Sequence, residues 1–124
     1  MAPLPSKIDI VPVPELAVAQ SDFLERVHKV TSGSEEVLFW TPTLATKWRV
    51  DTLFSKEPDT IEWIAGFQSG EVLVDVGANV GMYTIWAAKT RGTHVYAFEP
   101  ESQNYGALCR NIVLNNLSKR VIAY

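Results

Sequence analysis

Residues 71–100, EVLVDVGANVGMYTIWAAKTRGTHVYAFEP, decide how the chain folds. EVLVDV, residues 71–76, is a short apolar run, which predicts a strand buried on both faces. A glycine-bearing turn follows, and Gly81 to Thr90 reads as a helix that ends before Gly92. HVYAF, residues 94–98, supplies the next strand, so a complete βαβ unit is written in this one stretch. Beyond it, Glu101 to Asn116 reads as a helix carrying Tyr105, Leu108, Ile112 and Val113, and RVIAY, residues 120–124, as the start of a third parallel strand. The alternation predicts a Rossmann-like α/β fold with three parallel strands of a doubly wound sheet.

Upstream, KEPDTIEWIAGFQSG, residues 56–70, predicts a helix: Pro58 suits a first turn, Glu57, Asp59 and Glu62 are acidic toward its positive end, and Gly70 lies beyond its last turn. Ile61, Ile64 and Ala65 form one stripe and Trp63 and Phe67 an i,i+4 pair, so the helix is expected to cap a sheet edge or a pocket. A strand is expected through Trp48 to Leu53, and another at VLFWT, residues 37–41, after a glycine-serine turn at Thr31 to Ser34. From Glu15 to Val30 the spacing of Leu16, Ala19, Phe23, Leu24 and Val27 predicts a packing helix with Lys29 near its end and His28 at its polar edge as a surface or capping residue. Pro3, Pro5, Pro12 and Pro14 make the first 14 residues an extended lead-in. The chain thus divides into this lead-in (1–14), a helix/strand/helix extension (15–70) and a half-domain (71–124).

With 124 residues, 47% of them apolar and 20% charged, the chain has the composition of a soluble globular domain. The net charge of −3 gives no basic footprint, so no nucleic-acid partner is expected. The single cysteine, Cys109, excludes an intrachain disulfide and a cysteine-rich zinc site, and fits a reducing, cytoplasmic setting. His28 and His94 lack companions for a metal site. No continuous apolar core marks a signal peptide, and the longest apolar stretch is interrupted by Asp75, Asn79 and glycines, so no membrane association is expected.

The chemistry concentrates in Asp75-Val76-Gly77-Ala78-Asn79-Val80-Gly81, where a strand hands over to a helix. Glycines allow the sharp turn and a close backbone approach, and the helix start offers N–H groups and partial positive charge to a carboxylate or phosphate. Dinucleotide loops read GxGxxG; here Gly77, Asn79 and Gly81 are evenly spaced and Asp75 precedes them. This D-x-G-x-N-x-G form resembles the first motif of class I S-adenosylmethionine-dependent methyltransferases. Asp75 then serves as acceptor for the methionine ammonium, directly or through water, while loop amides receive the rest of the methionine end. Glu99 closes HVYAFE in the acidic position roughly 20 residues beyond the glycine turn, where a carboxylate accepts both ribose hydroxyls and repels a 2′-phosphate. Pro100 ends that strand and fixes the chain's direction into the next helix. Tyr83 and Trp86 read as core packing rather than as an adenine shelf.

LVDVGANVGMYTIWAA, residues 73–88, followed by VYAFEPESQNYGALCRNIVLNN, residues 95–116, resembles the FkbM-type methyltransferases, and WRVDTLFSKEPDTIEWI, residues 48–64, is similar to that family's lead-in. The resemblance spans Glu36 to Tyr124. It implies a partial class I methyltransferase fold and transfer of a methyl group from S-adenosylmethionine to a hydroxyl of a sugar, polyketide or other small molecule, including a glycan precursor. It also implies a cofactor site of Asp75, Gly77, Ala78, Asn79, Gly81, Glu99 and Pro100, with Glu57 and Thr60 facing it from the preceding helix, and a helix pattern of Asn104, Leu108, Asn111 and Asn115. Leu108 is expected in the core and the asparagines in helix-end or loop hydrogen bonds. No residue stands out as the catalytic base. An RNA-modifying methyltransferase and a non-catalytic cofactor-binding module are the alternatives. The chain is expected to be incomplete; were Tyr124 its true end, a second copy or a partner would be expected to cover the edge of the first parallel strand.

Overall fold

A computed structural model describes residues 26–124. The proline-rich lead-in and most of the helix expected from Glu15 lie outside the described residues. β1 (Val27–Ser32) and β2 (Glu35–Trp40) form an antiparallel hairpin; α1 (Leu44–Asp51) and α2 (Pro58–Ala65) follow. Then come β3 (Val72–Val76), α3 (Met82–Arg91), β4 (His94–Phe98), α4 (Ser102–Leu114) and β5 (Val121–Ala123). The second sheet has the order β3-β4-β5, all parallel, with Leu73 opposite Val95 and Val95 opposite Val121.

Three expectations need correction. Val27 to Val30, read as the end of a helix, lies in β1: Val27 pairs with Trp40 and Val30 with Val37 across a two-residue turn whose Gly33 has φ +60. The turn and the cross-strand partners outweigh helical spacing that continues from upstream. His28 accordingly sits on a strand, with its Nδ1 hydrogen-bonded to the Thr41 hydroxyl.

The strand expected at Trp48 to Leu53 is the end of α1 and the turn after it. Thr43 nucleates that helix by a reciprocal cap: its hydroxyl accepts from Thr46 N at 3.1 Å, and Thr46 Oγ1 accepts from Thr43 N at 3.0 Å. Thr46, Val50 and Leu53 then turn inward together.

Finally, β3 is buried on one face only. Leu73 is 5% exposed, while Val72, Val74 and Val76 are 55%, 58% and 80% exposed. Two right-handed crossovers progressing in the same direction place α3 and α4 on the same face of the sheet. The other face presents Val74, Val76, Tyr96, Phe98, Ile122 and Tyr124, with Phe98 and Tyr124 stacked at 4.9 Å. β3 and β5 each have an unpaired outer edge among the described residues.

The covered side is layered as sheet, helices, hairpin. α3 is buried almost all round, from Met82 through Ala88 except for half-buried Tyr83, because it meets the sheet on one side and β2 and α2 on others. The expected α2 stripe is narrower than its sequence suggests: Ile64 is fully buried and Ile61 partly, but Ala65 is exposed. Trp63 and Phe67 do pair edge to face at 4.9 Å. Gly92 ends α3 with φ +68.

β2 docks on α4 through asparagine side chains. In the hairpin, Val37 and Phe39 direct their backbone groups toward β1, so those of Leu38 and Trp40 face the free edge. Asn115 Oδ1 accepts from Leu38 N at 2.9 Å and Asn115 Nδ2 donates to Leu38 O at 2.7 Å, so one amide side chain replaces a neighbouring strand. Asn111 Oδ1 accepts from Trp40 N at 2.7 Å, while its Nδ2 donates to Val80 O at 2.7 Å. The expected helix-end or loop bonds are the 2.8 Å bond from Asn115 Nδ2 to Asn111 O and the Asn111 bond to Val80 O in the loop; the bonds to the hairpin were not expected. Replacing Asn115 by Leu strands two part-buried backbone groups and is expected to lower unfolding stability by about 2–3 kcal/mol. Urea denaturation checks this, and a loss under about 1 kcal/mol would show that water replaces the amide.

Candidate cofactor-binding site

The loop after β3 lies at the carboxyl end of the strands, where open α/β sheets bind ligands. It is stapled to the end of β4: Gly77 N and Ala78 N both donate to Phe98 O, at 2.9 and 3.0 Å, and Asn79 N donates to Glu99 Oε2 at 2.7 Å. The other Glu99 oxygen accepts from Glu101 N at 2.9 Å. Gly77, Asn79 and Gly81 have φ of +80, +58 and +89, an alternation that asparagine and glycine accept far more readily than other residues.

The two glycines serve different ends. A Cβ on Gly77 would meet nothing within 4 Å, so its backbone conformation alone selects glycine; a Cβ on Gly81 would lie 2.6 Å from Leu108 Cδ1 and 3.2 Å from Ile85 Cγ1. Gly81 therefore permits the close contact of α3 with α4, a packing role beside the ligand approach expected from the motif.

A cavity of about 320 Å³ opens beside the loop. Val76 to Asn79 line it from the loop, Asp75 from the strand end, Met82 and Tyr83 from α3, and Arg49, Lys56 and Glu57 from α1 and the segment entering α2. Of the expected site residues, Asp75, Gly77, Ala78, Asn79 and Glu57 come together here. Gly81, Glu99, Pro100 and Thr60 do not line the cavity; Glu99 is nearly buried beneath the loop, and Thr60 donates to Glu57 at 3.4 Å. A second depression, lined by Trp63, Gly66, Phe67 and Glu71, lies at the amino end of β3, away from this chemistry.

Burial pushes the Asp75 carboxyl above its ordinary pKa; the Thr84 hydroxyl and amide bonds oppose that shift, and the Glu99 carboxylate adds to it. Thr84 Oγ1 donates to Asp75 Oδ2 at 2.6 Å from a fully buried position. Burial, with Glu57 as hydrogen-bond acceptor and neighbouring negative charge, pushes the Tyr83 hydroxyl up to about 12, so Tyr83 is a donor at neutral pH. Glu101 caps the start of α4: it accepts from Asn104 N and Gln103 N, bonds that lower its pKa. Trp86 is buried edge to face with Phe54 at 5.0 Å, as core packing requires.

Asn79 Oδ1 is buried without a hydrogen-bond partner, an acceptor held ready on a cavity-lining residue. Together with the acidic wall of Asp75 and Glu57, it fits a ligand that brings N–H or O–H donors and positive charge. Sequence reading missed Thr84, Arg49 and Lys56. Thr84 falls in the first turn of α3, directed back at the preceding strand end; Arg49 was obscured by reading residues 48–53 as a strand, and Lys56 precedes a helix whose own signals drew no attention to it.

No protein-family model matches the chain. Over 53 residues it is 42% identical to the 31-O-demethyl-FK506 methyltransferase FkbM of Streptomyces tacrolimicus, a match covering 42% of this chain and 20% of that protein. Among solved structures, TYW2 of P. horikoshii in complex with MeSAdo aligns with a TM-score of 0.56 at 20% identity, over 80% of this chain and 35% of that one. TYW2 of M. jannaschii in complex with AdoMet aligns at 0.52 and 24%, over 79% and 42%. A SAM-dependent methyltransferase from Thiobacillus denitrificans in complex with S-adenosyl-L-homocysteine aligns at 0.51 and 13%, over 63% and 35%. The chain thus spans between 20% and 42% of the length of these proteins, and it has the Rossmann-like α/β fold of these methyltransferases.

Gly81→Ala is expected to destabilise the fold by about 2–4 kcal/mol, from overpacking against Leu108 added to the strain of positive φ. Gly77→Ala carries the strain alone, about 1–2 kcal/mol. Thermal unfolding of the two variants should keep this order; equal losses would mean that α3 and α4 relax apart.

Proposed function

We propose that the chain is the donor-binding part of an S-adenosylmethionine-dependent methyltransferase that methylates a hydroxyl of a sugar, polyketide or other small molecule. The observation that carries this reading is the cavity at the carboxyl end of β3, where Asp75 and the unpartnered Asn79 Oδ1 lie on a loop fixed by Glu99. The partial likeness to the 31-O-demethyl-FK506 methyltransferase supports a hydroxyl acceptor.

Within this reading Asp75 accepts from the methionine ammonium and Glu57 reinforces the negative wall. Glu99 uses one hydrogen-bonding position on each oxygen for Asn79 N and Glu101 N, which leaves the remaining lone pairs for the ribose hydroxyls. Pro100 fixes the direction in which the chain leaves that carboxylate. Bound S-adenosylmethionine supplies a methyl group on a sulfonium sulfur, which becomes a neutral thioether as an acceptor oxygen takes the methyl and releases its proton. The protein's part is then chiefly alignment. Tyr83, protonated at neutral pH, donates hydrogen bonds and removes no proton.

An RNA acceptor fits less well with a net charge of −3. A second copy or a partner that covers the edge of β3 is part of the proposal, since an unpaired strand edge invites pairing. Among the described residues no helix is long and apolar enough to cross a membrane.

Calorimetry is expected to show binding of S-adenosylmethionine and S-adenosylhomocysteine in preference to NAD; NAD binding without either adenosyl compound would sink the proposal. Turnover of small hydroxylated acceptors against RNA then separates the acceptor classes, and binding without turnover of either points to the non-catalytic module.

Asp75 provides a pH test. Its raised pKa means that the free protein gains stability from the protonated form, and loses that gain as pH rises through the raised value. The ammonium needs the ionised form, so donor affinity is expected to rise with pH over the same window. Asp75→Asn should flatten both profiles and weaken binding at pH 7 by about tenfold or more, the worth of a charge-assisted bond. An unchanged affinity profile would remove Asp75 from the site.

A further inference from the structure

The depression at the amino end of β3 lies at the opposite end of that strand from the donor loop, and the proposed function makes no use of it. It measures about 290 Å³ and is lined by Trp63, Gly66, Phe67 and Glu71. Trp63 and Phe67, one helical turn apart, meet at 71° with ring centroids 4.9 Å apart, so two aromatic rings form a corner. Trp63 is 59% exposed, far more than a ring spent on the core. Gly66 keeps a φ of −75, open to any residue, so what it contributes here is space and not a special backbone conformation.

Glu71 adds a fixed negative charge to that corner. Gln68 N donates to Glu71 Oε2 at 2.7 Å and Glu71 N donates to Gln68 O at 3.2 Å, a reciprocal pair that holds the carboxylate in place and leaves Oε1 for another donor. Arg91 reaches the same turn from α3, but its Nε and Nη2 both donate to Phe67 O, at 3.1 and 2.9 Å. The ion pairs among the described residues are Lys29 with Glu36 and Lys47 with Asp51, and the cations over rings lie at Trp48 and Trp40, so Glu71 and Trp63 have no cation of the chain's own. Ring faces carry negative potential and attract organic cations, and a carboxylate beside them adds a charge-assisted hydrogen bond.

We infer that this depression is a second binding site, for an organic cation: an ammonium or guanidinium group on a short aliphatic stem, its N–H groups on Glu71 Oε1 and its apolar part against Trp63 and Phe67. The inference stands apart from the proposed function, since it uses none of the donor-site residues. A free amine and a lysine or arginine side chain of a partner polypeptide share this chemistry, and the choice of probes separates the two sources.

The test is nitrogen–proton correlation NMR on the chain, following the Trp63 indole N–H and the Glu71 amide. The probes are n-butylguanidinium, n-butylammonium, neutral n-pentanol, and capped arginine (N-acetylarginine N-methylamide), which carries the guanidinium on a peptide backbone. The cations are expected to shift both signals saturably and to bind about threefold or more tighter than n-pentanol. Glu71→Gln, which keeps an acceptor for Gln68 N, and Trp63→Leu should each weaken cation binding by about threefold or more, while Asp75→Asn leaves it unchanged. Equal binding of n-pentanol would overturn the inference, since the site would then be an apolar depression only. Unchanged affinity in Glu71→Gln, or shifts confined to the acidic cavity beside the donor loop, would overturn it as well. Should Trp63→Leu fail to fold, Glu71→Gln and the comparison with n-pentanol still decide. Tighter binding of capped arginine than of n-butylguanidinium assigns the site to a partner's side chain, and the reverse order to a small cation; both orders support the site.

Discussion

A buried carboxylate joins the two halves of the βαβ unit. Glu99 is 9% exposed, yet both of its oxygens are occupied, one by Asn79 N at 2.7 Å and the other by Glu101 N at 2.9 Å. An unpaired charge at such a depth would cost several kcal/mol, so the amides and the carboxylate require one another. Because Asn79 is the residue at φ +58, the same bond stabilises the left-handed turn that opens the loop toward the cavity. The path of the chain after β3 is thus fixed by the end of β4, with Phe98 O adding two further bonds.

The second tie runs through α4. Asn111 is fully buried and divides its amide between Trp40 N in the hairpin and Val80 O in the loop. A side chain that must satisfy both partners at once fixes their separation, since losing either leaves a buried polar group bare. The hairpin is therefore no loose appendage: its free edge is capped by Asn111 and Asn115, and its inner residues Val37 and Phe39 close the core over α3 and α4. Edge strands need such protection, and here helix side chains provide it.

How far the sequence could be read depended on whether the controlling contact was local. The βαβ unit, the loop and the helix at Pro58 are set by short-range pattern and turn chemistry and were legible, whereas the asparagines' partners in the hairpin, more than 70 residues away, were not. β1 was not, because its stability comes from partners across the hairpin, while its apolar spacing continued a helical rhythm from upstream. α1 was hidden because Thr43 and Thr46 cap it reciprocally, in place of the Ser/Thr with Glu/Gln signature, and aromatic and β-branched residues follow. That misreading had a cost at the site: placed on a strand, Arg49 had no reason to approach the loop. Thr84 escaped notice because a helix threonine is ordinarily unremarked until its carboxylate partner is seen beneath it.

The loop's hydrogen bonding also separates the candidate cofactors on physical grounds. A glycine-rich turn that binds pyrophosphate leaves its amides aimed at the ligand, and the helix dipole adds to their pull. Here four amides of the loop are directed inward, to Phe98, Glu99 and Ala78. A pyrophosphate would find few loop donors here, and the carboxylates of Asp75 and Glu57 oppose the pull of Arg49 and Lys56 in the same cavity. A ligand with an ammonium and a positively charged sulfur meets the same wall favourably. The even spacing of Gly77, Asn79 and Gly81 thus matters less for the space it opens than for where it sends the backbone N–H groups.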